Sequence, residues 1–327
     1  MEEIISHLQE LLTLPDLLVN KCTFLPESVR LTLIECIKFI PILYFLYYGI
    51  ELLERFFLKN IHIFIRFLRT LGPIFGVLIS TIPECGYQVI VSTFYTRKMI
   101  TRGTLLAFYI SCSDDALPLL FMDLSKAIYI LPLVIIKVIV GLVVAYSVDL
   151  IYLFKKKEIE DINAINIDLN EPGCCHHKIS TMAHPPYWYM HPLSHTFNMF
   201  MFTLLSLLFI NCTIAGFGGA EQLASFTLID TPYQLVATAI FGLIPNCVVS
   251  IFLALLFVKG IIGFPALLSG LTTVTGLGLA ALLKRSQNNV DYTLISIILL
   301  IVGIVTGLFA YYNMDIVEFL KFGLTVN

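Results

Sequence analysis

Two short stretches concentrate polar chemistry in an otherwise apolar chain. IPECGYQ at 82–88 supplies Glu84, Cys85 and Gln88, and SCSDDALP at 111–118 supplies Ser111, Asp114 and Asp115. Carboxylate, amide and hydroxyl oxygens suit hard cations such as Mn, Mg or Ca, and thiolates suit softer ones such as Zn or Cu(I). A mixed set points to a borderline transition metal, although no tight metal signature is present. The same carboxylates can carry a proton or Na⁺. A carboxylate at the bilayer centre costs about 2.5–3.5 kcal/mol on insertion scales, so three facing lipid would cost roughly 8–10 kcal/mol. For Asp114 and Asp115 the alternative is a solvated interfacial turn, with Pro118, Asp123 and Lys126 close behind. If the segment is one helix, Ser111 shares a side with both acids at i+3 and i+4, and the acids themselves diverge by about 100°.

The elements that must position these residues are membrane spans. The chain has 327 residues, 58% hydrophobic and 13% charged, with mean hydropathy +0.88. Soluble domains carry about 25% charged residues, and a bilayer span needs roughly 20 apolar ones. The fold class is therefore an all-α polytopic membrane protein. The clearest spans are 30–53, 61–82, 125–153, 194–217 and 291–312. Shorter pieces lie at 84–96, 103–121, 231–244, 246–258 and 264–283, broken at Pro83, Gly86, Pro118, Pro245, Gly260, Gly263, Pro265, Gly270, Gly276 and Gly278. That gives about ten segments, some too short to cross unaided. Irregular backbone at that depth survives only where protein or a polar cavity surrounds it. Counting every piece as a crossing puts Arg55, Lys59, Arg97, Lys98, Arg102, Lys155, Lys156, Lys157, Lys284 and Arg285 on one side. Basic residues mark the cytoplasmic side, so the central loop is cytoplasmic and both termini face outward. If 84–96 is re-entrant instead, this orientation changes.

The chain also repeats. Laid over itself so that Ile82 falls on Ile244, it matches IPEC (82–85) with IPNC (244–247) and IVG (139–141) with IVG (301–303), with 14 identities over 82–143 and no gap. Matches of Leu, Ile and Val are cheap in this composition, so the Pro, Cys and Gly matches carry the weight. A unit of about five spans flips its second copy, and two inverted halves with broken helices are a common plan of secondary transporters. Pro83 and Pro245 would then approach a midplane site from opposite faces. The second copy offers Asn246 and Cys247 but no acid, so the site is chemically asymmetric. Pro-kinked helices without any site are the plain alternative. Glu35, Cys36, Lys38, His62, Lys137, Asn211 and Cys212 are further polar residues inside spans, and Lys38 or Lys137 could neutralise an acid.

The expected organisation is an amphipathic segment at 1–29, a membrane repeat at 30–154, a Cys/His-containing loop at 155–193, a second repeat at 194–312 and a tail at 313–327. The opening MEEIISHLQELLTL is acidic and lacks the basic start of a signal peptide, so a surface helix is expected there. In the loop, Cys174, Cys175, His176, His177 and His184 form a Cys/His tract that can collect metal but matches no zinc-finger spacing. The alternative is a solvated linker. The eight cysteines lie mostly in apolar segments, as thiols or ligands rather than a disulfide framework. A net charge of −3 gives no reason to expect a nucleic-acid partner.

The stretch IPECGYQVIVSTFYTRKMITRGTLLAFYISCSDDALPLL, the Cys/His-rich centre and PLSHTFNMFMFTLLSLLFIN resemble the ten-helix heavy-metal exporter family. Its members are bacterial membrane proteins described as manganese transporters or arsenic-efflux-like permeases. The resemblance spans roughly residues 30–312. It rests on a Pro-x-Cys-Gly-x-Gln element (Pro83, Cys85, Gly86, Gln88) and a Ser-x-Ser-x-Asp element (Ser111, Ser113, Asp115). In the second half Val248, not Gly, follows Cys247. The resemblance implies export of a metal or metalloid across a bacterial inner (plasma) membrane. The residues then point to a secondary transporter of a divalent metal, manganese first, coupled to protons. The alternative is a permease for a metalloid or small organic anion, held at half-helix N-termini. No Walker motif points to ATP and no HExxH or GxSxG motif to hydrolysis. The expected partners are the lipid bilayer and the cargo, with no resident cofactor, and a homo-oligomer is compatible with the sequence.

Overall fold

In lipid, a backbone without water must bond to itself, and within a single segment only a helix does so. The computed structural model describes residues 27–59, 71–81, 85–112, 115–121, 123–153, 187–227, 231–285 and 289–322, and within them every regular element is helical. The first half contains α1 (Glu27–Lys59), α2 (Gly72–Ser80), α3 (Cys85–Thr96), α4 (Arg102–Ser111), α5 (Ala116–Leu120), α6 (Leu124–Ala127) and α7 (Ile130–Leu153). The second contains α8 (Tyr187–Phe217), α9 (Ala220–Phe226), α10 (Pro232–Gly242), α11 (Val248–Val258), α12 (Phe264–Thr273), α13 (Gly278–Arg285), α14 (Asn289–Tyr312) and α15 (Met314–Phe322). Five stretches are long and apolar enough to cross a bilayer: Thr32–Gly49, Ser125–Ile151, Pro192–Phe217, Phe264–Lys284 and Val290–Tyr312. The chain is thus an all-α, polytopic membrane protein.

Burial separates lining helices from enclosed ones. The Ser125–Ile151 window is 28% buried and the Phe264–Lys284 window 78%. α4 is buried from Gly103 to Ser111 and α12 from Phe264 to Thr273. A helix apolar on every side belongs inside. α2 and α7 pack on α4, and α10 and α14 pack on α12. α4 also touches α12, and α1 lies along α8. The short helices cross over: α13 packs on α3, and α5 packs on α11.

Local chemistry fixes these helices. Thr101 caps α4, its hydroxyl accepting from the Thr104 amide. Asp149 of α7 accepts from the Thr101 hydroxyl and the Gly103 amide, both at 2.8 Å, so a carboxylate sits where the helix dipole is positive. On α12, Gln234 of α10 accepts from the Gly263 amide. Hydroxyls then stitch α10 to α12: Thr238 donates to the Ala266 carbonyl, Ser269 to Leu235 and Thr273 to Ala239. Such bonds and close-packed small residues hold membrane helices together where the hydrophobic effect cannot.

α3 and α11 end alike. Lys98 and Gly260 both adopt positive φ, 57° and 71°. Met99 N–H reaches Phe94 O just as Ile261 N–H reaches Leu256 O, each at 2.9 Å. This is the Schellman closure of a helix C-terminus.

Several expected bounds shift. The 103–121 piece breaks at 112–115, ahead of Pro118, whereas the 264–283 piece breaks at 274–277, around the expected Gly276. Pro118 and Gly270, expected as breakers, lie inside α5 and α12. Pro118 sits in a first turn, where proline costs no hydrogen bond. Gly270 lets α10 and α11 come close, since a Cβ there would stand 3.2 Å from Thr238 O and 2.7 Å from a Leu253 methyl. Gly86 falls in the first turn of α3, so the interruption comes before it. The tail at 313–327 contains α15.

Candidate ion site

The break after α4 is where polar groups gather. Cys112 ends the helix in extended backbone (φ −64°, ψ 130°), so Ser111 and Asp115 do not share one helical face as the continuous-helix reading expected. Gln88 of α3 is fully buried and donates from Nε2 to Cys112 Sγ at 3.1 Å. One turn on, the Ser92 hydroxyl meets the Gln88 carbonyl, Tyr109 OH at 2.6 Å and the Gly278 carbonyl at 3.0 Å. Gly278 must be small: a Cβ would lie 2.8 Å from the Tyr109 ring and 3.0 Å from Gln88 Cβ. Helices α3, α4 and α13 therefore converge on one polar seam.

Asp115 stands at the start of α5, only 2% exposed. Its carboxylate does not cap its own helix and accepts from Tyr47 OH of α1 at 2.8 Å. A solvated interfacial turn is thus excluded for this acid. Ser111 donates to the Lys137 backbone carbonyl at 3.3 Å. Lys137 of α7 is fully buried and donates from its ammonium to the carbonyls of Cys112 and, at 2.7 Å, Leu271.

The second break mirrors the first in backbone. Val274 caps α12 with φ −65° and ψ 125°, and each cap amide bonds back four residues, Cys112 to Phe108 and Val274 to Gly270. Thr275 in this break has a buried hydroxyl with no hydrogen-bond partner among the described residues.

The structure does not gather every candidate. Asn246 is exposed, its Oδ1 capping the local chain by accepting from the Val248 amide at 3.1 Å. Cys247 is buried at the start of α11, and Pro245 lies in the gap between α10 and α11. Cys85 opens α3. Pro83, Glu84, Asp114, Cys174, Cys175, His176, His177 and His184 lie outside the described residues. Among the described residues, no three of His, Cys, Asp and Glu come together as a metal cluster, and Cys36, Cys112, Cys212 and Cys247 form no disulfide. Sequence reasoning missed Tyr47, Ser92, Tyr109 and Thr275. Ser92 was legible as one turn beyond Gln88, and Thr275 as the repeat counterpart of Ser113.

Away from the seam, Arg102 pairs with Asp291, and Lys259 with Glu35 at 2.8 Å, tying distant helices.

Residues 22–228 match the family model described as "Putative, 10TM heavy-metal exporter". No curated protein and no solved structure matches the chain. The match takes in the whole polar seam of the first half and runs on through α8 and α9. It covers well over half the sequence and agrees with the bundle of apolar helices around a buried polar break. The chain belongs to the ten-transmembrane heavy-metal exporter family, and that membership points to a membrane transporter.

Proposed function

We propose that this protein is a secondary transporter that exports a divalent transition-metal ion, manganese first, in exchange for protons. The route runs between two halves of inverted topology in a bacterial inner membrane. The observation that carries the reading is the pair of breaks. α4 and α12 are 10 residues each, so each reaches about 15 Å, half of a ~30 Å hydrocarbon core. Both stop inside the protein and their ends are joined through one side chain, Lys137. Broken helices meeting near the midplane are where secondary transporters place their cargo.

Three features support the two-half plan. α4 and α12 start and stop at the offset that lays Ile82 on Ile244, with matching cap torsions. Lys98 and Gly260, paired by the same offset, share the left-handed backbone. The exchanged packing of α5 on α11 and α13 on α3 is what a two-fold relation between halves produces.

Gln88, Cys85, Ser111, Asp114, Asp115 and Glu84 supply the ion and coupling groups, with Cys247 on the opposite half and Asn246 at its mouth. The Cys/His tract at 174–184 gathers metal on the cytoplasmic side. A cation is favoured over a metalloid or organic anion because the buried ends that meet are C-terminal. Those ends present carbonyls and partial negative charge.

Purified protein in liposomes tests this reading. Mn²⁺ should move when a pH gradient is imposed, and the double variant Glu84→Gln/Asp115→Asn should stop it. Unchanged flux in that variant, or flux of arsenicals but of no divalent metal, sinks the assignment.

A further inference from the structure

The setting of Lys137 is unusual. It lies a third of the way along α7, fully buried, among the helices that enclose α4. The two carbonyls it holds both belong to helix C-terminal ends. Cys112 is the cap of α4, and Leu271 is in the last turn of α12. The α12 ladder reaches Val274 N–H to Gly270 O, after which the chain turns away, and the Leu271 carbonyl takes its donor from Lys137. The last carbonyls of a helix lack partners in their own ladder, and each C-terminus carries about half a negative charge. Two such ends meeting in a buried place form a cation site by construction, and the ammonium stands where the cation belongs.

Two further observations bear on this joint. Four residues past Leu271 is Thr275, fully buried, its hydroxyl without a partner among the described residues. That is an additional oxygen of the kind a hard or borderline cation takes. The repeat counterpart of Lys137 is Leu299, also fully buried, so one lysine serves both helix ends. Since it extends from α7 to α12, it ties the first half of the chain to the second.

We propose that the joint of these helix ends is a cation site that the Lys137 ammonium fills as a tethered ligand. A cargo cation enters only by expelling it, and that expulsion releases α7 from α12. Binding and the movement of the halves are then one event. The site itself stands on the geometry, whereas the cargo's identity rests on the exporter reading above.

Two variants test it in detergent-purified protein. Lys137→Ala should unfold at a lower temperature than wild type. Ethylammonium chloride should raise its midpoint saturably, and tetramethylammonium chloride of equal ionic strength, having no N–H to donate, should not. Lys137→Met removes the competitor while filling its volume. A site occupied by its own ligand ~90% of the time weakens an entering ion about tenfold. Calorimetry should therefore find Mn²⁺ bound at least about tenfold tighter by Lys137→Met than by wild type, with slower flux in liposomes. No effect of ethylammonium on Lys137→Ala, or measurable Mn²⁺ binding by wild type that Lys137→Met does not exceed, overturns the proposal. If neither form binds Mn²⁺ but ethylammonium still stabilises Lys137→Ala, the cation site stands and manganese falls as the cargo. If Lys137→Ala does not fold, the Mn²⁺ comparison decides alone.

Discussion

Asp115 and Tyr47 lie 68 positions apart and meet across 2.8 Å in the interior. The phenol donates to a carboxylate that water cannot reach. Tyr47→Phe keeps the ring and removes the donor, and a buried polar group short of a partner costs about 1–3 kcal/mol. Thermal unfolding in detergent should register that loss. A second acid behaves differently because it is outside the spans. Asp123 caps α6, accepting from the Ser125 amide and hydroxyl at 2.9 and 2.7 Å. Those bonds, the hydroxyl's first and helped by Lys126, hold its carboxyl below the usual range against the smaller opposing effect of burial. A depressed folded value means that the cap's contribution is present above about pH 4 and is lost as pH falls through the lower folded value. Asp123→Ala should cost about 0.5–1 kcal/mol at neutral pH. The difference from wild type should vanish in acid and shrink in salt, since the group is solvent-screened. At this scale the sequence exposes Gln88 and Asp115, because an amide or an acid stands out in an apolar run. Tyr47, Ser92 and Tyr109 do not stand out. They are ordinary residues of membrane helices until tertiary packing brings them to the seam.

Helices in this bundle approach one another over glycines. Gly141 of α7 faces Ser111 and the Ala107 carbonyl of α4, while Gly303 of α14 faces Thr273 and, at 2.9 Å from a Cβ, the Ser269 carbonyl of α12. Each neighbour in the second set is the repeat counterpart of one in the first. Gly141→Ala and Gly303→Ala should each cost about 1–3 kcal/mol by overpacking, and by similar amounts if the halves are equivalent. Unfolding midpoints of the two variants, measured side by side, check this. The existence of most elements was legible, since apolar runs bounded by Gly, Pro and basic residues mark them. The breaks were less so. Pro118 and Gly270 look like breakers and are not, because a first turn tolerates one and close packing demands the other. The real break of α4 falls at Cys112, where no proline or glycine stands. Only its recurrence in the second copy, at Val274 ahead of Gly276 (φ 46°), gives it away.

Inverted topology makes a demand on the whole molecule. Lys98 and Gly260 are both exposed at equivalent helix ends, so the two positions should lie on opposite sides of the membrane. Single cysteines at Lys98→Cys and Gly260→Cys, in a background without the native thiols, should react with a membrane-impermeant maleimide from opposite faces. Labelling of both from one face would show that the halves run parallel. The exchange of α5 and α13 has a further consequence, which concerns time. The Ser92 hydroxyl of α3 meets the Gly278 carbonyl of α13, 186 positions later. At roughly 5–20 residues per second of synthesis, that partner emerges about 10–40 s after Ser92. Through that interval the first half sits in the bilayer with Gln88, Ser92 and Tyr109 uncovered on the side that α13 will close. The nascent half must shelter this face, and a protein truncated before α13 would be a ready target for membrane quality control.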